Sequence, residues 1–117
     1  MYEGMYSIQL RGQAGEGLGV LVLMAGRVFG SDGGVSYDGH YEPSRNRKGY
    51  LDVTLRITVP AGVALVQGTP AQPAAYWFDL KASFLAQDNT SLKLQTPYGP
   101  VQVTVSYLRG LPVELAA

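Results

Sequence analysis

Period-two alternation of apolar and polar residues runs through nearly every segment of this 117-residue chain that is long enough to show one. Successive side chains of an extended strand point to opposite faces, so a repeat of two is the signature of a half-buried strand. The clearest case sets Leu51, Val53, Leu55, Ile57 and Val59 against Asp52, Thr54, Arg56 and Thr58. The same rhythm places Gly4, Tyr6, Ile8 and Leu10 on one face, and likewise Val35, Tyr37, Gly39 and Tyr41. It returns in Tyr76, Phe78, Leu80, Ala82 and Phe84, in Leu92 and Leu94, and in Val101, Val103, Val105 and Tyr107. Residues 18–24 (Leu-Gly-Val-Leu-Val-Leu-Met) are apolar on both faces, so that strand is covered on both sides or meets a partner on its outer one.

Turn chemistry separates these segments. Residues 12–17 carry three glycines, Ala25-Gly26 reads as the tip of a tight hairpin, and residues 31–34 (Ser-Asp-Gly-Gly) form another turn. Residues 43–48 read as a polar loop, and Thr96-Pro97-Tyr98-Gly99-Pro100 turns the chain before the last strand and an apolar tail over 108–117. Residues 60–73, with three prolines, two glycines and the apolar group Val63-Ala64-Leu65-Val66, break the rhythm and predict one long loop or short helix between strands 5 and 6. Loops of that length in compact domains are uncommon and often functional.

The sum is about eight strands with short connections, an all-β meander within a single domain over residues 1–117. An open sheet of that size leaves two long unpaired edges, and closure into an antiparallel up-and-down barrel removes them. Eight strands enclose either packed side chains or one small ligand. The inward set mixes bulky Tyr6, Phe78, Phe84 and Tyr107 with Gly4, Gly39 and Ala82. Both a filled tapered barrel and a hollow one satisfy that mixture.

Composition narrows the function. Nine basic and nine acidic side chains cancel, so no overall field draws the chain to nucleic acid or to anionic lipid. Cysteine is absent, which removes disulfides, thiolate metal sites and cysteine nucleophiles, and suits a cytoplasmic protein. No leader is expected at the amino terminus, and the longest apolar stretch, residues 18–26, is about half of what a membrane-spanning helix needs. No membrane insertion is expected.

Catalytic groups are scarce. The single histidine, His40, shares the outward face of its strand with Asp38 and Glu42, as a solvated residue does. With Asp32 these make the one local set of metal-ligand types, but successive residues on a strand face lie about 7 Å apart, too far for one ion. The run Gly15-Glu16-Gly17-Leu18-Gly19 has no following helix to hold phosphate, and reads as hairpin glycines. Asp52 and Asp79 alternate outward with Arg56 and Lys81, which predicts cross-strand charge pairing. Neither an enzyme, a metal centre nor a cofactor is expected.

Four stretches together resemble the GrlR family, small bacterial proteins named for a negative regulator of type III secretion. They are Glu3-Gly4-Met5-Tyr6-Ser7-Ile8, residues 17–23 (Gly-Leu-Gly-Val-Leu-Val-Leu), residues 26–32 (Gly-Arg-Val-Phe-Gly-Ser-Asp) and residues 37–42 (Tyr-Asp-Gly-His-Tyr-Glu). The similarity covers about residues 3–57 well and is weaker beyond. It implies a lipocalin-like eight-stranded barrel that forms a homodimer, has an apolar cavity, and regulates by protein binding without catalysis. In the family's namesake an exposed acidic run after the tyrosine-bearing strand holds a basic transcriptional activator. The corresponding residues here, 42–48 (Glu-Pro-Ser-Arg-Asn-Arg-Lys), are net basic and would repel such a partner.

Two readings follow: a regulatory or adaptor barrel that binds another protein, and a carrier or sensor for a small apolar ligand. The ligand-binding interior is assigned to Tyr6, Ile8, Val53, Leu55, Phe78, Leu80, Val103 and Val105, and the partner-binding loop to Arg45, Arg47 and Lys48. The dimer interface is assigned to Leu21 and Leu23.

Overall fold

A computed structural model describes residues 3–85 and 89–111 of the chain. Among these there are eight strands and no helix: β1 (Gly4–Gly12), β2 (Gly15–Met24), β3 (Arg27–Ser31), β4 (Ser36–Pro43), β5 (Tyr50–Val59), β6 (Tyr76–Leu85), β7 (Thr90–Thr96) and β8 (Gly99–Arg109). They form one antiparallel sheet in the order β6-β5-β4-β3-β2-β1-β8-β7. The sheet is a meander coiled into a nearly closed up-and-down barrel. Its one seam lies between β6 and β7, which share no ladder of hydrogen bonds. Tyr98, in the β7–β8 turn, packs edge-on against Tyr76 and Phe78 of β6, with ring centroids 5.5 and 5.1 Å away, so aromatic contact closes one end of the seam.

The inner face carries the core. Leu23, Val28, Leu51 and Val59 are the most completely buried, and Tyr6, Ile8, Tyr37, Phe78 and Phe84 pack among them. Gly39 belongs to this face for a steric reason. A Cβ there would run into the Thr54 carbonyl of β5 and lie 3.0 Å from Leu55 Cα, so only glycine lets β4 and β5 come this close where the sheet coils. At Ala25 (φ 52°) and Gly26 (φ 80°) both central residues of the β2–β3 connection have positive φ, the two-residue turn whose twist matches a hairpin. The last strand slips by one residue, with Met5 opposite Arg109 but Tyr6 opposite Tyr107, which leaves Leu108 as a bulge.

One local expectation narrows, and one open alternative resolves to the long loop. The turn expected over residues 12–17 narrows to Gln13 and Ala14, because Gly15 and Gly17 find ladder partners in Gly12 and Leu10. The long connection between β5 and β6 contains no helical turn. Its prolines lack the amides a helix uses, and Gly62 (φ 83°) and Gly68 (φ 115°) sit in the left-handed region. Of the apolar tail expected over 108–117, residues 112–117 lie outside the described residues. Among the described residues no helix is long and apolar enough to cross a membrane.

Candidate functional site

Because neighbouring strands of the sheet run antiparallel, the barrel has two distinct ends. The β1–β2, β3–β4 and β7–β8 turns and the β5–β6 connection cluster at one; the β2–β3 turn and the basic β4–β5 loop are at the other. At the first end lies a predominantly apolar cavity of about 330 Å³, partly open to solvent. Its wall is built from the inward residues of most strands, among them Ile8, Leu55, Ile57, Phe78, Leu80 and Val103. The volume is at the lower end of the roughly 300–1,000 Å³ typical of small-molecule pockets.

The β5–β6 connection closes this end as a strap. Val63 through Gln67 line the cavity, and Leu65 is buried as deeply as the core strands. Two hydrogen bonds pin the strap to the neighbouring β1–β2 and β7–β8 hairpins. Ala14 N–H donates to the Val66 carbonyl at 2.8 Å, and Gln67 Nε2 donates to Thr96 Oγ1 at 3.2 Å. Inside the strap, Leu65 N–H donates to the Thr69 carbonyl and Gly68 N–H to that of Leu65. Gly12 makes the close approach possible, since a Cβ there would lie 2.5 Å from the Val66 carbonyl carbon.

A small polar fringe interrupts the apolar wall at Glu16, Asp32, Tyr37, Gln67 and Thr96. Asp32 is locked by its own turn: Oδ1 accepts from the backbone N–H groups of Gly34 (3.2 Å) and Val35 (2.8 Å). Its Oδ2 accepts from the Tyr37 hydroxyl at 2.8 Å. Burial, and then the neighbouring Asp32 carboxylate, push the Tyr37 phenol far above the usual tyrosine range, so it stays a neutral donor. Glu16 Oε1 accepts from Arg11 Nε (3.0 Å) and Nη2 (2.8 Å) at the exposed rim.

All eight residues assigned to the interior face inward. Ile8, Leu55, Phe78, Leu80 and Val103 line the cavity, while Tyr6, Val53 and Val105 lie in the packed part of the barrel beyond it. The barrel is thus filled over part of its length and hollow under the strap. Asp32, Tyr37 and the strap were not assigned to the ligand site from the chain alone. The one available cue was the apolar group 63–66 within a Pro/Gly loop.

Arg45, Arg47 and Lys48 are exposed at the end opposite the cavity. Their loop is tied by Ser44, whose Oγ accepts from the N–H groups of Asn46 and Arg47, and the Arg47 guanidinium lies 3.7 Å over the Tyr50 ring. Leu21 and Leu23, assigned to a contact between copies, point into the barrel and are only 8% and 1% exposed. Buried in the core, these two side chains are not on the surface that a contact between copies needs. The outward residues of β2 are Leu18, Val20, Val22 and Met24, with Met5 and Phe29 flanking Val22 on β1 and β3. Leu18, Met24 and Phe29 are 68%, 43% and 41% exposed.

The predicted surface pairing takes the form of Arg56 with Asp79 at 3.0 Å, and the same guanidinium covers the Trp77 ring at 3.7 Å. Asp52 accepts from the Ser83 hydroxyl instead of a lysine. His40 is exposed, and no three metal-ligand side chains gather among the described residues.

Fold and cavity together define an eight-stranded β-barrel with a strapped apolar pocket. Compared with known proteins, the chain matches no family model and no curated protein sequence.

Proposed function

We propose that this chain is a non-enzymatic regulatory or adaptor barrel that acts by binding another protein, the role its resemblance to the GrlR family implies. The observation that carries this reading is an apolar patch on the outer face of β2, where Leu18, Val20, Val22 and Met24 lie beside Met5 of β1 and Phe29 of β3. Contiguous exposed apolar surface on a protein marks an interaction site. A second copy is its first occupant, since the patch itself is uncharged and a two-fold axis would set it against its own equivalent.

Native mass spectrometry of the protein and of Val20→Glu tests it. A dimer is expected for the parent chain and a monomer for the variant; a strictly monomeric parent chain refutes the dimer. The partner of the family's namesake is not carried over, because residues 42–48 here have the opposite charge.

The cavity supports a second reading: a carrier or sensor for a small apolar ligand held under the strap. An adduct retained in native mass spectra, or displacement of an uncharged apolar fluorophore from the barrel, is the expected result. A barrel that retains and displaces nothing argues against it.

A further inference from the structure

The polar fringe of the cavity has a chemical bias that specifies what its ligand carries. Among its side chains, nearly every donor is already committed within the protein. The Tyr37 hydroxyl donates to Asp32, the Thr96 hydroxyl donates to the Gly99 carbonyl at 2.7 Å, and one N–H of Gln67 donates to Thr96. Among the described residues the lining includes no lysine, arginine or histidine, and the nearby Arg11 is engaged with Glu16 at the rim. The capacity left over consists of acceptors: the second oxygen of Glu16, remaining lone pairs on Asp32 and on the Tyr37 oxygen, and the Gln67 carbonyl. One N–H of Gln67 is the exception.

We infer that the cavity takes an apolar molecule with a donor-bearing head, an amine or a neutral hydroxyl or amide, and discriminates against carboxylate and phosphate heads. The inference rests on the ligand-binding reading. An ammonium or hydroxyl placed against Asp32 and Tyr37 gains hydrogen bonds, the charged one at about twice the strength of a neutral pair. A carboxylate in the same place meets the Asp32 carboxylate, with Glu16 already paired to Arg11 at the rim, and finds almost no uncommitted side-chain donor to replace its hydration. Asp32 suits this role because its turn holds it in position before any ligand arrives.

The test uses three amphiphiles with the same tail, decylamine, decanol and decanoate, each displacing an uncharged apolar fluorophore from the intact protein at neutral pH. Decylamine is expected to bind at least about ten-fold more tightly than decanoate, with decanol between them. The variant Asp32→Asn, which keeps an acceptor for the turn amides, should bring decylamine down to the level of decanol while decanol itself is unaffected. Glu16→Gln, at the exposed rim, should weaken decylamine in the same direction. If decanol binds and decylamine is no better than decanoate, the head-group preference is overturned and the ligand reading stands. If none of the three binds, both fall.

Discussion

Adding one methyl group at residue 12 should separate the strap from the barrel without disturbing the barrel. In Gly12→Ala the new Cβ would lie 2.5 Å from the Val66 carbonyl carbon and 2.8 Å from Gln67 N, against backbone atoms that cannot rotate away. Carbon atoms in contact sit at about 3.5–4.0 Å, so the strap must retreat by roughly 1 Å. That displacement takes the 2.8 Å bond between Ala14 N–H and the Val66 carbonyl out of hydrogen-bonding range, at a cost of about 1 kcal/mol. It also lifts Leu65, whose full burial contributes about 1.5–3 kcal/mol, part of the way out. The combined loss is about 1–3 kcal/mol, and it falls on opening of the strap more than on global unfolding.

Amide hydrogen exchange reads this directly. Ala14, Leu65 and Gly68, whose N–H groups close the strap, should exchange roughly 5–150 times faster in the variant, while the β4–β5 ladder is unchanged. Gly17→Ala is the control. Its Cβ meets Val66 Cγ1 at 3.8 Å and Leu10 Cδ1 at 3.9 Å, which is ordinary contact at the same rim, so no acceleration is expected. Equal exchange at Ala14, Leu65 and Gly68 in the parent chain and in Gly12→Ala would refute the steric argument.

Three further outcomes follow from the structure. The Tyr37 phenol keeps its proton in the folded barrel while an unfolded chain loses it near pH 10, so stability is full below about pH 10 and falls as the pH rises beyond it. The slope is up to about 1.4 kcal/mol per pH unit for this residue; urea midpoints across alkaline pH should show a shallower fall for Tyr37→Phe, and an identical fall would contradict it. Ala25 holds a left-handed conformation at the β2–β3 turn, so Ala25→Asn should raise stability by about 0.5–1 kcal/mol in a thermal melt, with no change in fold. The buried Tyr76 hydroxyl has no hydrogen-bond partner among the described residues, so Tyr76→Phe should leave stability unchanged or raise it by up to about 1 kcal/mol; a clear loss in a denaturant titration would show that the hydroxyl is satisfied.

Strand identity, turn positions and inward residues were legible in the chain because each is a local property. Alternation in residues 51–59 assigns its own faces, and Ala25-Gly26 announces its own hairpin, whatever the rest of the molecule does. Residues 18–24 show the limit of that logic. With both faces apolar, the period-two pattern carries no phase, and Leu21 and Leu23 were assigned to the dimer interface although the register with Tyr6 and Gly4 turns them in.

The resemblance implied an apolar cavity, but the residue pattern by itself left filled and hollow barrels open, for a different reason. Whether large and small inward residues fill a barrel depends on which of them meet across it, and that is a matter of strand order and coiling that no single segment encodes. The strap shows the same division. Its prolines and glycines announced an irregular connection, yet its docking depends on Ala14, Gly12 and Thr96, distant in the chain and brought to one rim only by the meander. The pairing of Asp32 with Tyr37 needs the β3–β4 turn to be formed before the carboxylate faces the phenol. By itself, then, the sequence determined a meander of antiparallel strands with an apolar inner face, since backbone sterics and burial act residue by residue. The tertiary structure alone decided that the barrel is hollow at one end, what covers that end, and which polar groups reach it, because those follow from contacts between segments far apart in the chain.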